Sequence, residues 1–365
     1  MSEDMRWQFE LEEYIRQGEP DRIEKSEAWQ TAIGLQAVDG LKTSEYLLDT
    51  AKEHIEGKIN IDEAQKRIQS YYESRGERLA VEDGTKEADI VSARIAKLLG
   101  EKTFQFSPAE WLSIHRRLFE GVFPHAGQIR DYNITKKEWV LKGETVFYSP
   151  WESIKETLDY DFAMEKNFSY KGLTMEEIIK HLAKFTSGIW QIHPFAEGNT
   201  RATAVFLIKY MKSFGLDVNN DAFEHHSWYF RNALVRANYN DLKNDVHATT
   251  MFLEQFFSNL LMRTNYELKN RYMHVEYMEQ ENENSQSATE EGSKCKNCTL
   301  DCTLEEMQII HLIKENPSIT QKELAEKLDK SERTIKSKIA LMQEKNFIRR
   351  VNGKRYGKWE VLTEK

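Results

Sequence analysis

Along most of the chain, apolar residues recur every three or four positions, the period of a helix with one buried face. Within 62–72, Ala64, Ile68 and Tyr71 fall on one side, and Gly40 and Gly57 lie between periodic stretches where the chain must reverse. Residues 1–80 are therefore expected to be helical, with the polar stretch 77–87 as a linker. Ile90, Ala93, Ile95, Ala96 and Leu99 predict a helix that stops at Gly100. Residues 108–119 predict another, with Trp111, Ile114, His115 and Leu118 on one side. The period changes over 129–150, where Trp139-Val-Leu and Val146-Phe-Tyr are rich in strand formers around Lys142-Gly-Glu. That pattern predicts a β-hairpin inside a helical protein. Thr174-Met-Glu-Glu177 has capping-box spacing before the apolar positions Ile178, Ile179, Leu182, Phe185 and Ile189. An apolar helix is expected over 201–215, with further helices near 226–236 and 242–277.

Residues 279–294 carry no apolar period and are polar and acidic, the composition of a linker. Beyond them, helices are expected at 304–315, 321–328 and 332–345, the last burying Ile335, Ile339 and Met342. Phe347-Ile-Arg-Arg-Val then meets Asn352-Gly353, a two-residue hairpin signal, ahead of Tyr356 and Trp359. Three helices and a hairpin make a winged helix-turn-helix. The whole is mainly α: a helical region at 1–80, a core at 85–277, a polar linker at 278–302 and a winged helix at 303–365.

Composition narrows the classes. A net charge of −9 over 365 residues argues against a chain that coats nucleic acid along its length. Residues 303–365 differ, with 14 basic against 10 acidic side chains. Arg333, Lys336 and Lys338 are expected on the outer side of the third helix, and Arg349, Arg350, Lys354, Arg355 and Lys358 crowd the hairpin. A recognition helix with a basic wing makes duplex DNA a partner to expect, with a protein-contact role open beside it. No apolar run reaches membrane-spanning length and no signal peptide is visible, so no membrane partner and a cytoplasmic location are expected. The three cysteines, Cys295, Cys298 and Cys302, sit in eight residues. They resemble half of a Zn²⁺ site, with His311 as a candidate fourth ligand, rather than a disulfide framework.

The chemistry concentrates in His193-Pro-Phe-Ala-Glu-Gly-Asn-Thr-Arg201, between two apolar helices. A loop that opens a helix aims backbone N–H groups and the positive dipole end at an anion. Arg201 adds a forked donor suited to phosphate, and Glu197 is a hard oxygen ligand of the kind that holds Mg²⁺ with phosphates. Gly198 permits close backbone approach, and Asn199 is a candidate cap for the helix that follows. His193 can accept a proton from an attacking hydroxyl near neutral pH. A base, a metal ligand and an anion nest together describe phosphoryl or nucleotidyl transfer.

Seven positions, His193, Pro194, Phe195, Glu197, Gly198, Asn199 and Arg201, resemble the motif of the Fic family (filamentation induced by cAMP), and the resemblance extends over about 85–270. It implies a helical Fic core with a β-hairpin flap. It also implies transfer of AMP from ATP to a Ser, Thr or Tyr hydroxyl of a target protein or of the chain itself, with release of pyrophosphate. In that reading His193 is the base and Glu197 holds Mg²⁺. Gly198, Asn199, Thr200 and Arg201 bind phosphates, Tyr229 and Phe230 lie near the adenine, and Val146, Phe147 and Tyr148 form the target-binding flap. The family's frequent second arginine is replaced by Ala204. A flap lysine, Lys136, Lys137 or Lys142, is a candidate to take over its role. The segment around Ala37-Val-Asp-Gly-Leu41 resembles the family's antitoxin, but Leu35 and Asp39 stand where Ser/Thr and Glu are usual. With Ala204, both ends of the family's inhibitory lock are altered, so residues 1–80 are expected to pack, with a regulatory, inhibitory role left open beside it. Ser287-Ala-Thr-Glu-Glu-Gly292 matches the inhibitory pattern literally, but lies in the linker. Alternatives are a nucleotide-binding transcription regulator with a silent core, use of another nucleotide, or removal of AMP. A homodimer is a further candidate assembly.

Overall fold

The computed structural model describes residues 11, 13–14, 19–75, 83–218, 221–277, 302–351 and 357–362. Among these are thirteen α-helices and one two-stranded sheet. The helices are α1 (Pro20–Gly34), α2 (Glu45–Ile55), α3 (Ile61–Arg75), α4 (Asp83–Gly100), α5 (Pro108–Phe119), α6 (Ile154–Lys166), α7 (Met175–Ile192), α8 (Asn199–Ser213), α9 (Asp221–Ala237), α10 (Met251–Met262), α11 (Leu304–Glu315), α12 (Gln321–Lys327) and α13 (Glu332–Glu344). Two compact units are present: residues 1–167 with 183–277, and residues 168–182 with 278–365. The first unit takes in both the N-terminal helices and the motif-bearing helices. The boundary falls inside α7.

In the first unit α8 is the central element, buried at every residue from Asn199 to Met211. It buries so completely because its second half offers Val205, Phe206, Leu207, Ile208, Tyr210 and Met211 in near succession. Phe206 meets Phe104, Phe106, Trp111 and Phe162 at ring separations of 5.4–6.2 Å. Aromatic pairs at such distances add to the stabilisation from burial. Helix α1 packs on α4 and α9. Its last residue is glycine because a Cβ on Gly34 would lie 2.5 Å from the Glu224 Cα. Ser227 closes that crossing by donating its hydroxyl to the Gly34 carbonyl at 2.6 Å.

Two expectations of secondary structure are corrected. Over 129–150 the chain does reverse, with Lys142 and Gly143 in left-handed conformations, but among the described residues no strand forms there. Trp139–Leu141 is a 3₁₀ turn, and the reversal is held by Glu138 and Glu144 across a 2.9 Å backbone hydrogen bond. The long helix expected over 242–277 is the shorter α10, ended by left-handed Arg263. Beyond it Leu268 is buried from irregular chain and Met273 from a 3₁₀ turn, Asn270–Met273.

The second unit contains the winged helix. Strands β1 (Ile348–Val351) and β2 (Lys358–Val361) pair antiparallel, with Arg350 opposite Trp359; the Asn352-Gly353 turn lies outside the described residues. Capping boxes at Thr303 and Thr320 start α11 and α12. Its core gathers Ile309, Ile310, Ile313, Leu324, Ile335, Ile339, Met342 and Trp359. Cys302 is buried in this same cluster, while His311 lies 3.3 Å from Glu315. No group of three His, Cys, Asp or Glu among the described residues is placed to hold a metal ion, so the Zn²⁺ expectation is unsupported. Cys302 serves as a small apolar core residue, and Cys295, Cys298 and the segment 287–292 lie outside the described residues. No helix among those described is long and apolar enough to cross a membrane.

Candidate active site

The loop between α7 and α8 is bracketed by two left-handed residues, His193 (φ 50°) and Gly198 (φ 74°). His193 ends α7, and its backbone N–H returns to the Trp190 carbonyl at 3.1 Å. Gly198 is the N-cap of α8, and no side chain caps that end. The first intrahelical bond runs from Ala202 to Gly198 at 3.0 Å, so the N–H groups ahead of it have no partner within the helix. Asn199 does not cap α8 as expected. It lies inside the helix and clasps the loop, accepting from the Phe195 N–H at 3.0 Å and donating to the Phe195 carbonyl at 2.8 Å. Phe195 sinks into the core against Trp111 and stacks on His115 at 3.7 Å.

His193 is 3 % exposed. Its Nδ1 faces the Trp190 carbonyl at 3.3 Å, so Nδ1 carries the proton and Nε2 is left as the acceptor. Nε2 is buried and has no hydrogen-bond partner among the described residues. Burial first, and then the charge of Lys136, hold this imidazole well below the usual histidine range, so it stays neutral and able to take a proton. Tyr148 lies over the ring at 4.2 Å. Glu197 meets Lys136, the flap lysine, at 3.2 Å. Of the other lysines considered, Lys142 pairs instead with Glu276 and Lys137 is exposed.

Arg201 is 2 % exposed and is fully engaged. Its Nη1 donates to Gln36 at 3.0 Å and its Nη2 to Glu87 at 2.6 Å. Nε stands 2.7 Å from the Asp39 carboxylate, close enough for an ion pair but off the N–H direction, so it lacks an aligned hydrogen bond. Asp39 thus reaches the first arginine of the motif. The 1–80 region therefore meets the motif at Arg201, through Gln36 and Asp39. Ala204 is fully buried in α8.

The remaining expected residues divide. Val146 is buried and Phe147 is 82 % exposed, so the flap alternates. Gln191 fixes it, donating to the Phe147 carbonyl at 3.0 Å. The Thr200 hydroxyl accepts from the Trp190 indole at 3.0 Å, which leaves its own O–H as a donor beside its backbone N–H. Tyr229 and Phe230 present no face to solvent. Tyr229 donates to Gln255 at 3.2 Å, and Phe230 packs on Phe223 and Phe256 at 5.1 and 5.0 Å.

Two residues of the site were not singled out in the sequence, which placed His115 only on the inner side of its helix and left Arg130 unremarked. His115 bridges the loop: its Nδ1 accepts from the Gly127 N–H at 2.8 Å, so its Nε2 donates to the Glu197 carbonyl at 2.9 Å. Burial lowers it to about 4. Arg130 is buried and donates only to carbonyls: His193 at 2.8 Å, Tyr132 at 2.6 Å, and Ser149 at 2.5 Å. A buried arginine leaves no sequence signal beyond its type. Behind the flap, Arg231 and Glu138 form a two-pronged ion pair at 2.6 and 3.0 Å.

With this geometry in place, the comparisons fall on the same elements. Residues 105–211 match the Fic/DOC family and residues 306–349 match the winged helix-turn-helix DNA-binding family. The chain therefore carries a Fic/DOC domain joined to a winged helix-turn-helix. A protein adenylyltransferase of Bartonella henselae is 28% identical over 123 residues, which are 31% of this chain and 23% of that protein. The chain thus spans about a quarter of the length of that relative. Among solved structures, it is similar to the N-terminal FIC domain of the Bep8 protein from Bartonella sp. 1-1C (20% identity, 48% of this chain, 85% of that chain, TM-score 0.38). It is also similar to a Fic family protein from Desulfovibrio desulfuricans G20 (14% identity, 98% and 95% covered, TM-score 0.42).

Proposed function

We propose that the protein is a nucleotidyltransferase that moves AMP from ATP to a Ser, Thr or Tyr hydroxyl of a protein, releasing pyrophosphate. The observation that carries this reading is one loop that holds an unprotonated His193 Nε2, the Glu197 carboxylate and the uncapped start of α8. The adenylyltransferase likeness supports it at family level. His193 would take the proton of the attacking hydroxyl, and the α8 N-terminus would hold phosphate oxygens. Glu197 fits a Mg²⁺ ligand, because one carboxylate with substrate phosphates is the usual way that ion is held. The ion would supply charge neutralisation on the phosphates.

A second reading has its own support: a core held silent, with the winged helix as a regulator. The Asp39, Gln36 and Glu87 contacts occupy Arg201, so it cannot serve phosphate in this conformation. One experiment addresses both. Full-length protein is incubated with α-labelled and γ-labelled ATP, GTP, CTP and UTP in Mg²⁺, as wild type, His193→Ala and Asp39→Ala. Label from the α-position alone, lost in His193→Ala, is expected. Asp39→Ala is expected to raise the rate roughly tenfold, the effect of freeing one charged donor. Label that survives loss of His193 would sink the assigned base. An unchanged rate in Asp39→Ala would mean that the Asp39 contact is not a brake, with Gln36 and Glu87 still holding the guanidinium.

A further inference from the structure

We propose that Lys136 is a catalytic residue, one that exchanges the Glu197 carboxylate for the departing diphosphate when a nucleotide binds. This inference rests on the transferase reading above. Lys136 lies on the flap, with its backbone N–H on the Thr145 hydroxyl at 3.3 Å. Its ammonium lies 3.2 Å from Glu197 Oε2, at the mouth of the loop that opens α8. Its charge also contributes to holding His193 below the usual histidine range.

The other cations near the loop have fixed employment among the described residues. Arg130 is spent on backbone carbonyls, Arg231 on Glu138, Lys142 on Glu276 and Arg201 on Asp39 and Glu87. Lys136 is different because its partner is the group that a divalent ion would claim. An ammonium and a divalent cation repel, and they compete for the same oxygen. Loading the site with nucleotide and ion would therefore expel Lys136 from Glu197. The same event delivers new anionic oxygens within reach, so the lysine changes partner without being left unpaired.

In the transfer step, the target oxygen bonds to the α-phosphorus and its proton passes to His193 Nε2. The bond from the α-phosphorus to the α–β bridging oxygen breaks, and that electron pair leaves with the diphosphate. Lys136 faces the charge that accumulates on that oxygen. A cation placed there acts on the transition state more than on the bound substrate.

The test uses the full chain as wild type, Lys136→Gln, Lys136→Arg and Lys137→Ala, each also made with Asp39→Ala so that a low basal rate hides nothing. Transfer of α-label gives kcat and KM, and calorimetric titration in Mg²⁺ gives the affinities for ATP and AMP. Lys136→Gln is expected to lower kcat roughly 100-fold, the scale of losing one charge-stabilising donor. It should also cut the preference for ATP over AMP about tenfold, one charged contact's worth. Lys136→Arg should recover part of both, and Lys137→Ala should change neither. Thermal melts establish that the variants fold alike. Wild-type transfer with Lys136→Gln within twofold, or an unchanged ATP-to-AMP ratio, overturns the role of Lys136 and leaves the enzyme reading intact. A wild type that neither binds ATP nor transfers label defeats the enzyme reading, and this inference falls with it.

Discussion

At the scale of single residues, the site is assembled by groups that the motif does not contain. His193 and Glu197 are legible in sequence because their chemistry and spacing are local. His115, Gln36 and Glu87 are not, since Gln36 meets Arg201 across 165 residues of chain and such pairing leaves no periodic trace. His115 can be examined through pH. It and His54 both fall from the usual 6.5 to about 4, His115 chiefly through burial and His54 through burial and the Lys25 charge. A histidine depressed on folding binds more protons when unfolded. Its stabilising contribution is complete above pH 6.5 and is lost as pH falls toward 4. The full His115 shift amounts to about 3 kcal/mol. Urea unfolding, followed by tryptophan fluorescence, should show wild type losing stability over that window more steeply than His115→Gln. Parallel pH profiles would mean that folding does not depress His115.

At the scale of elements, boundaries came through where composition and geometry agree. The helix expected over 304–315 is α11, and the capping box at Thr174 is present, with Glu177 accepting from its backbone N–H at 2.8 Å. They failed where a left-handed residue interrupts an apolar stretch. Arg263 does this after α10, and Lys142 turns strand-forming residues into a 3₁₀ turn. The loop to α8 has the tightest requirement of this kind. A Cβ on Gly198 would stand 2.4 Å from the Phe119 ring in a backbone conformation that side chains rarely adopt. Gly198→Ala should cost about 2–4 kcal/mol by strain and overpacking together, measured by denaturant titration. A loss below 1 kcal/mol would show that Phe119 yields easily, by the usual scale of tolerated core swaps.

At the scale of the whole molecule, charge is partitioned. A chain of net −9 ends in a block with 14 basic and 10 acidic side chains. Within the winged helix several of those cations are already occupied: Lys338 lies 3.5 Å from Glu305, Arg349 pairs with Glu360 at 2.5 Å, and Arg350 stacks over Trp359 at 4.7 Å. Arg333 and Lys336 on α13 are exposed. If duplex DNA is the partner, affinity should fall steeply with salt, and Arg333→Ala or Lys336→Ala should each reduce the logarithmic slope by about 1. Fluorescence anisotropy with a labelled duplex measures it. A flat salt response would assign this module to protein contacts.

Arg130 gives the core a property that concerns its history rather than its chemistry. One guanidinium ties the His193 carbonyl to carbonyls at both ends of the flap, at Tyr132 and Ser149. The flap backbone is thereby indexed to the base, while Phe147 stands outward from it. In the proposed transferase, changes at Phe147 would alter which proteins are engaged without moving the His193 ring. On the transferase reading, preference for a target and competence in transfer would be free to drift separately, so that a lineage would acquire new clients while its reaction is preserved.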